Sequence, residues 1–327
     1  MNGMFYGCSS LLSLDLNHFN TSSTLNMAFM FYKLKSLENL DISNFNTSKV
    51  LFMHHMFEGC ESLTSLNVSK FDTTKITSLN NMFSDCSSLK SLEIGNFNTC
   101  NVETMEYLFK GCKSLSSINL DNLNTSLVTT FAYMFSGCNS LEELNVSQLD
   151  TSNVISMSNL FSNCSSLKSL DISTLNTENV QNMENMFQGC SDLKNLNLNN
   201  INTSKVEYMN YMFSGCSSLP NLELSDLNTS LVKDMSHMLE NCIQLRTINL
   251  SNFETPSIRN MDYMFAGDIN LSYVNLANIQ DSRMVSMLNI FQGTLENMVF
   301  CIDENSAPNF NGQIERKGCS IIDCDQD

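Results

Sequence analysis

Apolar residues recur along this chain at a fixed interval of 26 residues. One column of the repeat holds an aromatic or leucine residue at every step, with no insertion between steps. Its members are Phe5, Phe31, Phe57, Phe83, Phe109, Phe135, Phe161, Phe187, Phe213, Leu239, Phe265 and Phe291. Such constant spacing indicates that every unit forms an equivalent turn of one coil.

The unit from residue 37 to residue 63 shows how one turn is built. Its first apolar residues, Leu37, Leu40 and Ile42, end in the alternation that is typical of a short strand. The next stretch, Phe-Asn-Thr-Ser at 45–48, favours a turn. The apolar steps then become three, three, one and three, which predicts a short helix or 3₁₀ segment. The residues that define these steps are Val50, Met53, Met56, Phe57 and Cys60.

The fold predicted from these columns is a repeat solenoid of the leucine-rich-repeat type. We expect a right-handed coil of 26-residue rungs, each with a short parallel β-strand, a turn and a short helix or 3₁₀ segment. The solenoid is predicted over residues 1–293, and the pattern fails after Phe291. Residues 294–327 are predicted to form a capping strand and a cysteine-bearing tail. Met1 falls in the column of Met27, as expected of a fragment, a mature chain or an internal start.

Cysteine occupies two different settings in the sequence. Nine of the thirteen cysteines share one column: Cys8, Cys60, Cys86, Cys112, Cys138, Cys164, Cys190, Cys216 and Cys242. Leu34 takes the same position, which favours small buried hydrophobic thiols over a series of disulfides or a zinc site. The tail cysteines Cys301, Cys319 and Cys324 lie in an acidic segment, where a disulfide is expected to stabilise the cap.

The side chains between the strand leucines form the predicted binding face, concave if the coil curves. Its column contains Asp15, Asp41, Asn67, Glu93, Asn119, Asn145, Asp171, Asn197, Glu223 and Asn249. One interpretation is a solvated ladder of Asn and Ser whose side chains bond to one another along the stack. The alternatives are a surface for divalent cations or for glycans. Tyr107, Tyr133, Tyr208 and Tyr263 are placed on the helical side, for lateral packing or binding.

The turn and the strand end supply Asn-x-Ser/Thr sequences. The possible N-glycosylation sites are Asn20, Asn46, Asn67, Asn124, Asn145, Asn202, Asn228 and Asn249. Turn chemistry alone also explains them, because Asp72 and Asp150 take the place of the asparagine where no glycan could attach. The threonine that follows repeats from Thr21 to Thr229, and a weaker hypothesis makes this column an ice- or crystal-binding face.

Composition narrows the function classes. Asp and Glu outnumber Lys and Arg by 34 to 17, and the net charge of −17 argues against nucleic acid and anionic membranes as partners. No apolar run is long enough to span a membrane, and the first ten residues lack the regions of a secretory signal peptide. The four histidines lie in no nucleophile or metal motif. We therefore expect no enzyme activity and no cofactor.

The repeat, written LxxLxLSxFNTSxVxxMxxMFxGCxSL, resembles that of BspA-type leucine-rich-repeat surface proteins. It is particularly similar to the 26-residue surface-protein repeat of mycoplasma-type lipoproteins and of related bacterial and protist proteins. Residues 82–89, Met-Phe-Ser-Asp-Cys-Ser-Ser-Leu, and 97–99, Phe-Asn-Thr, carry the resemblance, which covers residues 1–293. The resemblance implies a cell-surface or extracellular setting and adhesion through proteins or glycans. The alternative is a structural protein that assembles end to end into extracellular filaments.

Overall fold

A computed structural model describes residues 1–322 and 324. The chain forms two compact units, Met1–Leu167 and Lys168–Asp327. Each unit is a β-solenoid whose rungs are offset by 26 residues, which confirms the predicted fold class. The predicted division of the chain into a solenoid over residues 1–293 and a capping segment over residues 294–327 stays a prediction.

The first unit contains two regular strands, β1 (Ser65–Asn67) and β2 (Ser91–Glu93). They pair in parallel, with Leu66 opposite Leu92. The central leucine of each strand is buried and its neighbours are exposed, because successive side chains of a strand point to opposite faces. One face of the strand ladder therefore belongs to the core and the other to solvent.

The second unit contains the remaining elements. The strands β3 (Ser169–Asp171) and β4 (Asn195–Asn197) pair in parallel. A parallel sheet in the order β5-β6-β7-β8 follows, formed by β5 (Thr247–Asn249), β6 (Tyr273–Leu276), β7 (Val299–Ile302) and β8 (Ser320–Ile322). The helix α1 (Pro308–Lys317) connects β7 to β8.

The segment predicted as a short helix is instead a series of turns, and within residues 1–307 the structure has no helix. In the second rung the N–H groups of Met30 and Tyr32 close turns within the rung, while those of Phe29, Phe31 and Lys33 donate to carbonyls of the next rung. The helical spacing of the apolar residues was therefore misleading. In a helix these N–H groups would donate to carbonyls of the same segment. Here the neighbouring rung offers carbonyl acceptors, so alternate N–H groups donate to that rung instead.

Two columns of left-handed residues make this turn segment possible. The first contains Phe29 and Tyr107, with φ of 59° at both, and the second contains glycine in most rungs, such as Gly111 with φ of 70°. The recurrence of glycine in this column predicts the left-handed conformation that the structure shows, because glycine adopts it without steric cost. The first column was not predicted, since bulky residues rarely adopt positive φ. The inter-rung hydrogen bonds hold these residues there.

Stacked side chains fill the interior. The phenylalanine column is buried from Phe31 onwards in the first unit, with successive ring centroids 5.5–6.1 Å apart. Asparagines brace the outer turns, since Asn96 Nδ2 donates to Ser69 O at 2.9 Å and Asn122 Nδ2 to Gly95 O at 2.8 Å. These bonds satisfy turn carbonyls that the parallel ladder leaves open, which explains why asparagine is abundant.

Candidate binding surfaces

The strand face carries the predicted binding column in both units. Its members are exposed except for Asn197, which is half-buried. In β1, β2 and β3 the central leucine is buried, and the exposed members of the column in these strands lie on a hydrogen-bonded parallel pair. The use of this column for binding stays a prediction.

The asparagines and aspartates of this column bond to their own turns, and Asp171 also bonds to Asn197 of the next rung. Asn67 Oδ1 accepts hydrogen bonds from the backbone N–H of Ser69 at 3.0 Å and from its hydroxyl at 2.7 Å, and Asp171 is bound in the same way by Ser173. These Asx turns form because a donor two residues away is nearer than the next rung. Hydrogen bonds from the Ser173 hydroxyl and backbone lower the pKa of Asp171, so its carboxylate is ionised at neutral pH.

The second unit has a depression of about 450 Å³ on this face. It is lined by β3, by β4 with the preceding Lys194, and by Pro220, Asn221 and Glu223 of the next rung. Lys194, Asn195 and Asn221 were missing from the predicted face. The sequence does contain a signal for them, because Asn195 and Asn221 are polar residues in the column on the other side of the strand leucine, and Lys194 is a charged residue directly before that column.

The threonine column lies inside the solenoid and not on its surface. Its members from Thr21 to Thr229 are at most 2% exposed. Thr177 Oγ1 donates to Asn202 O at 2.9 Å and accepts from the Asn202 N–H at 2.8 Å. The hydroxyl therefore joins neighbouring rungs through both of its hydrogen-bonding roles, and the ice-binding hypothesis is wrong because these groups do not reach solvent.

The predicted glycosylation sites all lie at exposed positions. Asn46 Oδ1 accepts hydrogen bonds from the Ser48 N–H at 3.0 Å and from its hydroxyl at 2.7 Å, and Asp72 makes the same pair of bonds with Thr74. Aspartate and asparagine are therefore equivalent for the turn, which supports the turn-chemistry interpretation. Glycosylation of these asparagines stays a prediction.

The cysteine column forms a ladder of buried thiols. All members from Cys60 to Cys242 are buried, and Cys8 is exposed. Cys86 Sγ lies 3.2 Å from the Phe57 carbonyl oxygen, and Cys112 Sγ lies at the same distance from that of Phe83. Burial raises the pKa of Cys60 to about 12, and it raises the pKa values of Cys86 and Cys112 well above the ordinary range of a thiol. These thiols are therefore protonated donors and not reactive groups.

Asp268 takes the cysteine position in a later rung. Its side chain is fully buried, and Oδ1 accepts a hydrogen bond from the Cys242 N–H at 2.7 Å. Oδ2 has no hydrogen-bond partner. Burial raises the pKa of Asp268 to about 8, against the lowering effect of the Cys242 N–H, and the charge of Glu240 raises it further. The carboxyl is therefore largely protonated at neutral pH.

The C-terminal segment contains a disulfide between Cys301 in β7 and Cys324, while Cys319 is a half-buried free thiol. Helix α1 is joined to the preceding rung by the buried carboxylate of Asp281, which accepts from the Phe310 N–H at 2.8 Å. The residues Asp323 and 325–327 lie outside the described part of the chain.

Aromatic residues form short stacks on the turn side. Tyr211, His237 and Tyr263 are stacked with ring centroids 4.2 and 4.8 Å apart, and Tyr107 and Tyr133 are 4.7 Å apart. The ring faces are covered by neighbouring rungs, which favours packing over ligand binding. Tyr208 lies in another column and is 41% exposed.

Within residues 1–322 and 324 no group of three or more His, Cys, Asp or Glu side chains is arranged to hold a metal ion. In the same part of the chain, no helix has the length and apolar character that a membrane span requires.

The chain is similar to known repeat proteins. A leucine-rich repeat protein from Bacteroides ovatus is 19% identical, with 84% of this chain and 82% of that chain covered and a TM-score of 0.40. An internalin from Listeria monocytogenes is 16% identical, with coverages of 78% and 74% and a TM-score of 0.26. No curated protein matches the sequence. The family described as "Mycoplasma protein of unknown function, DUF285" matches residues 1–118, 60–144, 115–221 and 218–300. These matches confirm the resemblance to the mycoplasma-type repeat, and the chain belongs to this family.

Proposed function

We propose that the protein is a non-enzymatic, extracellular or cell-surface repeat protein that acts in adhesion by binding proteins or glycans on its strand face. The observation that carries the proposal is the depression of about 450 Å³ in the second unit. It combines the ionised carboxylate of Asp171 with exposed amide, lysine and glutamate side chains, among them Lys194 and Glu223.

Rigidity supports a binding role for this face. The backbone beneath it is held by the parallel pairing of β3 with β4, and the Asx turn orients Asp171. Groups that are already ordered lose less conformational entropy when a partner binds. The buried threonine column and the bracing asparagines, in contrast, use their polar groups between rungs.

Binding by the full-length chain tests the proposal. The immobilised protein is offered purified fibronectin and laminin, a glycan array and intact animal cells. The variants Asn195→Trp and Asn221→Trp place a bulky ring in the depression, and Glu178→Trp is the control at an exposed turn position of the same unit. We expect at least one probe to be retained, and the two face variants to lose it while the control keeps it. Retention of no probe, or equal loss in all three variants, would contradict the proposal.

Surface location is tested on intact source cells. We expect added protease to degrade the protein while a cytosolic marker survives, and protection of the protein until lysis would contradict the location. The intact mass before and after endoglycosidase treatment measures the predicted glycosylation.

The second role predicted from the sequence, end-to-end assembly into filaments, also stays a prediction. Electron microscopy of native material distinguishes it, since continuous fibres would support the structural role and isolated particles at high concentration would exclude it.

A further inference from the structure

We propose that the strand face of the second unit binds an extended polypeptide segment in which basic and acidic residues alternate. This inference rests on the proposed function and adds the chemistry of the partner. It derives from the order of charges across the face.

Opposite charges occupy opposite edges of this face. The residues that precede the strand positions include Lys168, Lys194 and Arg246, and all three are exposed. The column at the other edge contains the carboxylates of Asp171 and Glu223. The column between them is uncharged and consists of Ser169, Asn195, Asn221 and Thr247. A basic edge and an acidic edge thus flank a neutral floor.

One pair of charges on each edge has the same spacing, and Lys168 lies one rung before the basic pair. Lys194 and Arg246 are separated by two rungs, and so are Asp171 and Glu223, with Pro220 and Asn197 at the positions between. Three residues of strand separate the edges by about 10 Å. Both pairs therefore run in the same direction along the stack, each with one rung between its two members.

An extended peptide lying across these rungs has the complementary form. Its successive side chains point to opposite sides, so every second residue contacts the same edge. Acidic residues at odd positions would meet Lys194 and Arg246, while basic residues at even positions would meet Asp171 and Glu223. The paired charges of one edge are two rungs apart, about 9.6 Å, and long lysine and glutamate side chains span the difference from the two-residue rise of about 6.7 Å in the peptide.

The arrangement discriminates against other charge orders. A peptide whose charges all have one sign is repelled at one of the two edges. In a peptide where like charges are adjacent, successive side chains carry the same sign to opposite edges, so each edge meets some residues of the wrong sign. Each exposed ion pair contributes up to about 1 kcal/mol, or roughly fivefold in affinity. Two or more pairs therefore separate an alternating segment from a composition-matched one by a measurable factor.

The test compares two eight-residue peptides of equal composition. One alternates lysine and glutamate, and the other repeats the order Lys-Lys-Glu-Glu. Binding to the full-length protein is measured by NMR titration at low and high salt. We expect the alternating peptide to bind about fivefold or more tightly, with the preference lost at high salt.

Charge reversal locates the contact. Lys194→Glu and Glu223→Lys should each lower affinity for the alternating peptide about fivefold. The controls Lys205→Glu and Glu178→Lys change net charge equally at exposed positions outside the face and should leave affinity unchanged.

The outcomes separate this inference from the proposed function. Equal binding of both peptides, or equal effects of the face and control reversals, overturns the alternating-charge inference. If Asn195→Trp still abolishes retention of a protein or glycan probe, the proposed function survives that result. If the alternating peptide binds preferentially but retention of every protein or glycan probe is unaffected by Asn195→Trp and Asn221→Trp, the proposed function fails and the alternating-charge inference survives.

Discussion

Replacement of Asp268 by asparagine is expected to stabilise the protein at neutral and alkaline pH. Asparagine keeps an acceptor for the Cys242 N–H and carries no charge, whereas the aspartate must hold a proton at neutral pH and ionises above pH 8 in a site where Oδ2 has no partner. A second variant, Asp268→Cys, restores the residue found in most rungs of the ladder.

The size of the effect follows from the pKa of Asp268. Burial raises this pKa from 3.8 to about 8, and each pKa unit corresponds to about 1.36 kcal/mol. Between pH 4 and pH 8 the folded protein holds one proton more than the unfolded chain, so its stability falls as the pH rises. Asp268→Asn should therefore match the wild type near pH 4 and exceed it by about 5 kcal/mol above pH 8.

Urea unfolding followed by circular dichroism at pH values from 4 to 9 measures this difference. Asp171→Asn is the control on the exposed strand face. The pKa of Asp171 is lowered by folding, so the stability that its carboxylate contributes to the wild type is lost only at acidic pH. Parallel stability profiles for Asp268→Asn and the wild type between pH 5 and pH 8 would refute the reasoning. An NMR titration that gave the Asp268 carboxyl an ordinary pKa would refute it as well.

Three further substitutions test the rung contacts by urea unfolding. Gly111→Ala should cost about 1 kcal/mol more than Gly137→Ala, because both have left-handed φ but the Asp85 carboxylate occupies the space over Gly111 alone; equal losses would contradict this account. Thr177→Val should cost about 1–3 kcal/mol, because it removes two part-buried hydrogen bonds to the Asn202 backbone, and an unchanged midpoint would show that these bonds contribute nothing. His237→Ala should cost about 1–2 kcal/mol and His237→Phe less, because phenylalanine retains the stack; the opposite order would assign the effect to the hydrogen bond between His237 Nδ1 and the Glu240 carboxylate, which is 2.9 Å long.

The predicted and observed structures agree where a column reflects burial alone. Phe57, Cys60 and Leu66 recur in apolar columns and are buried as predicted. The threonine column shows where this reasoning fails, because residue type indicates polarity but not direction. Thr177 is polar and yet buried, since a carbonyl and an N–H of the next rung satisfy its hydroxyl.

The amino-acid sequence by itself determined the 26-residue rung, the parallel strands, the buried phenylalanine and cysteine columns and the left-handed glycines. Each of these follows from burial or backbone sterics within one unit and is repeated in every rung. Only the tertiary structure decided the turn segment, the orientation of Thr177, the isolation of the Asp268 carboxyl and the depression around Asp171. The physical reason is that all four depend on hydrogen bonds or space between neighbouring rungs, where residues about 26 positions apart meet.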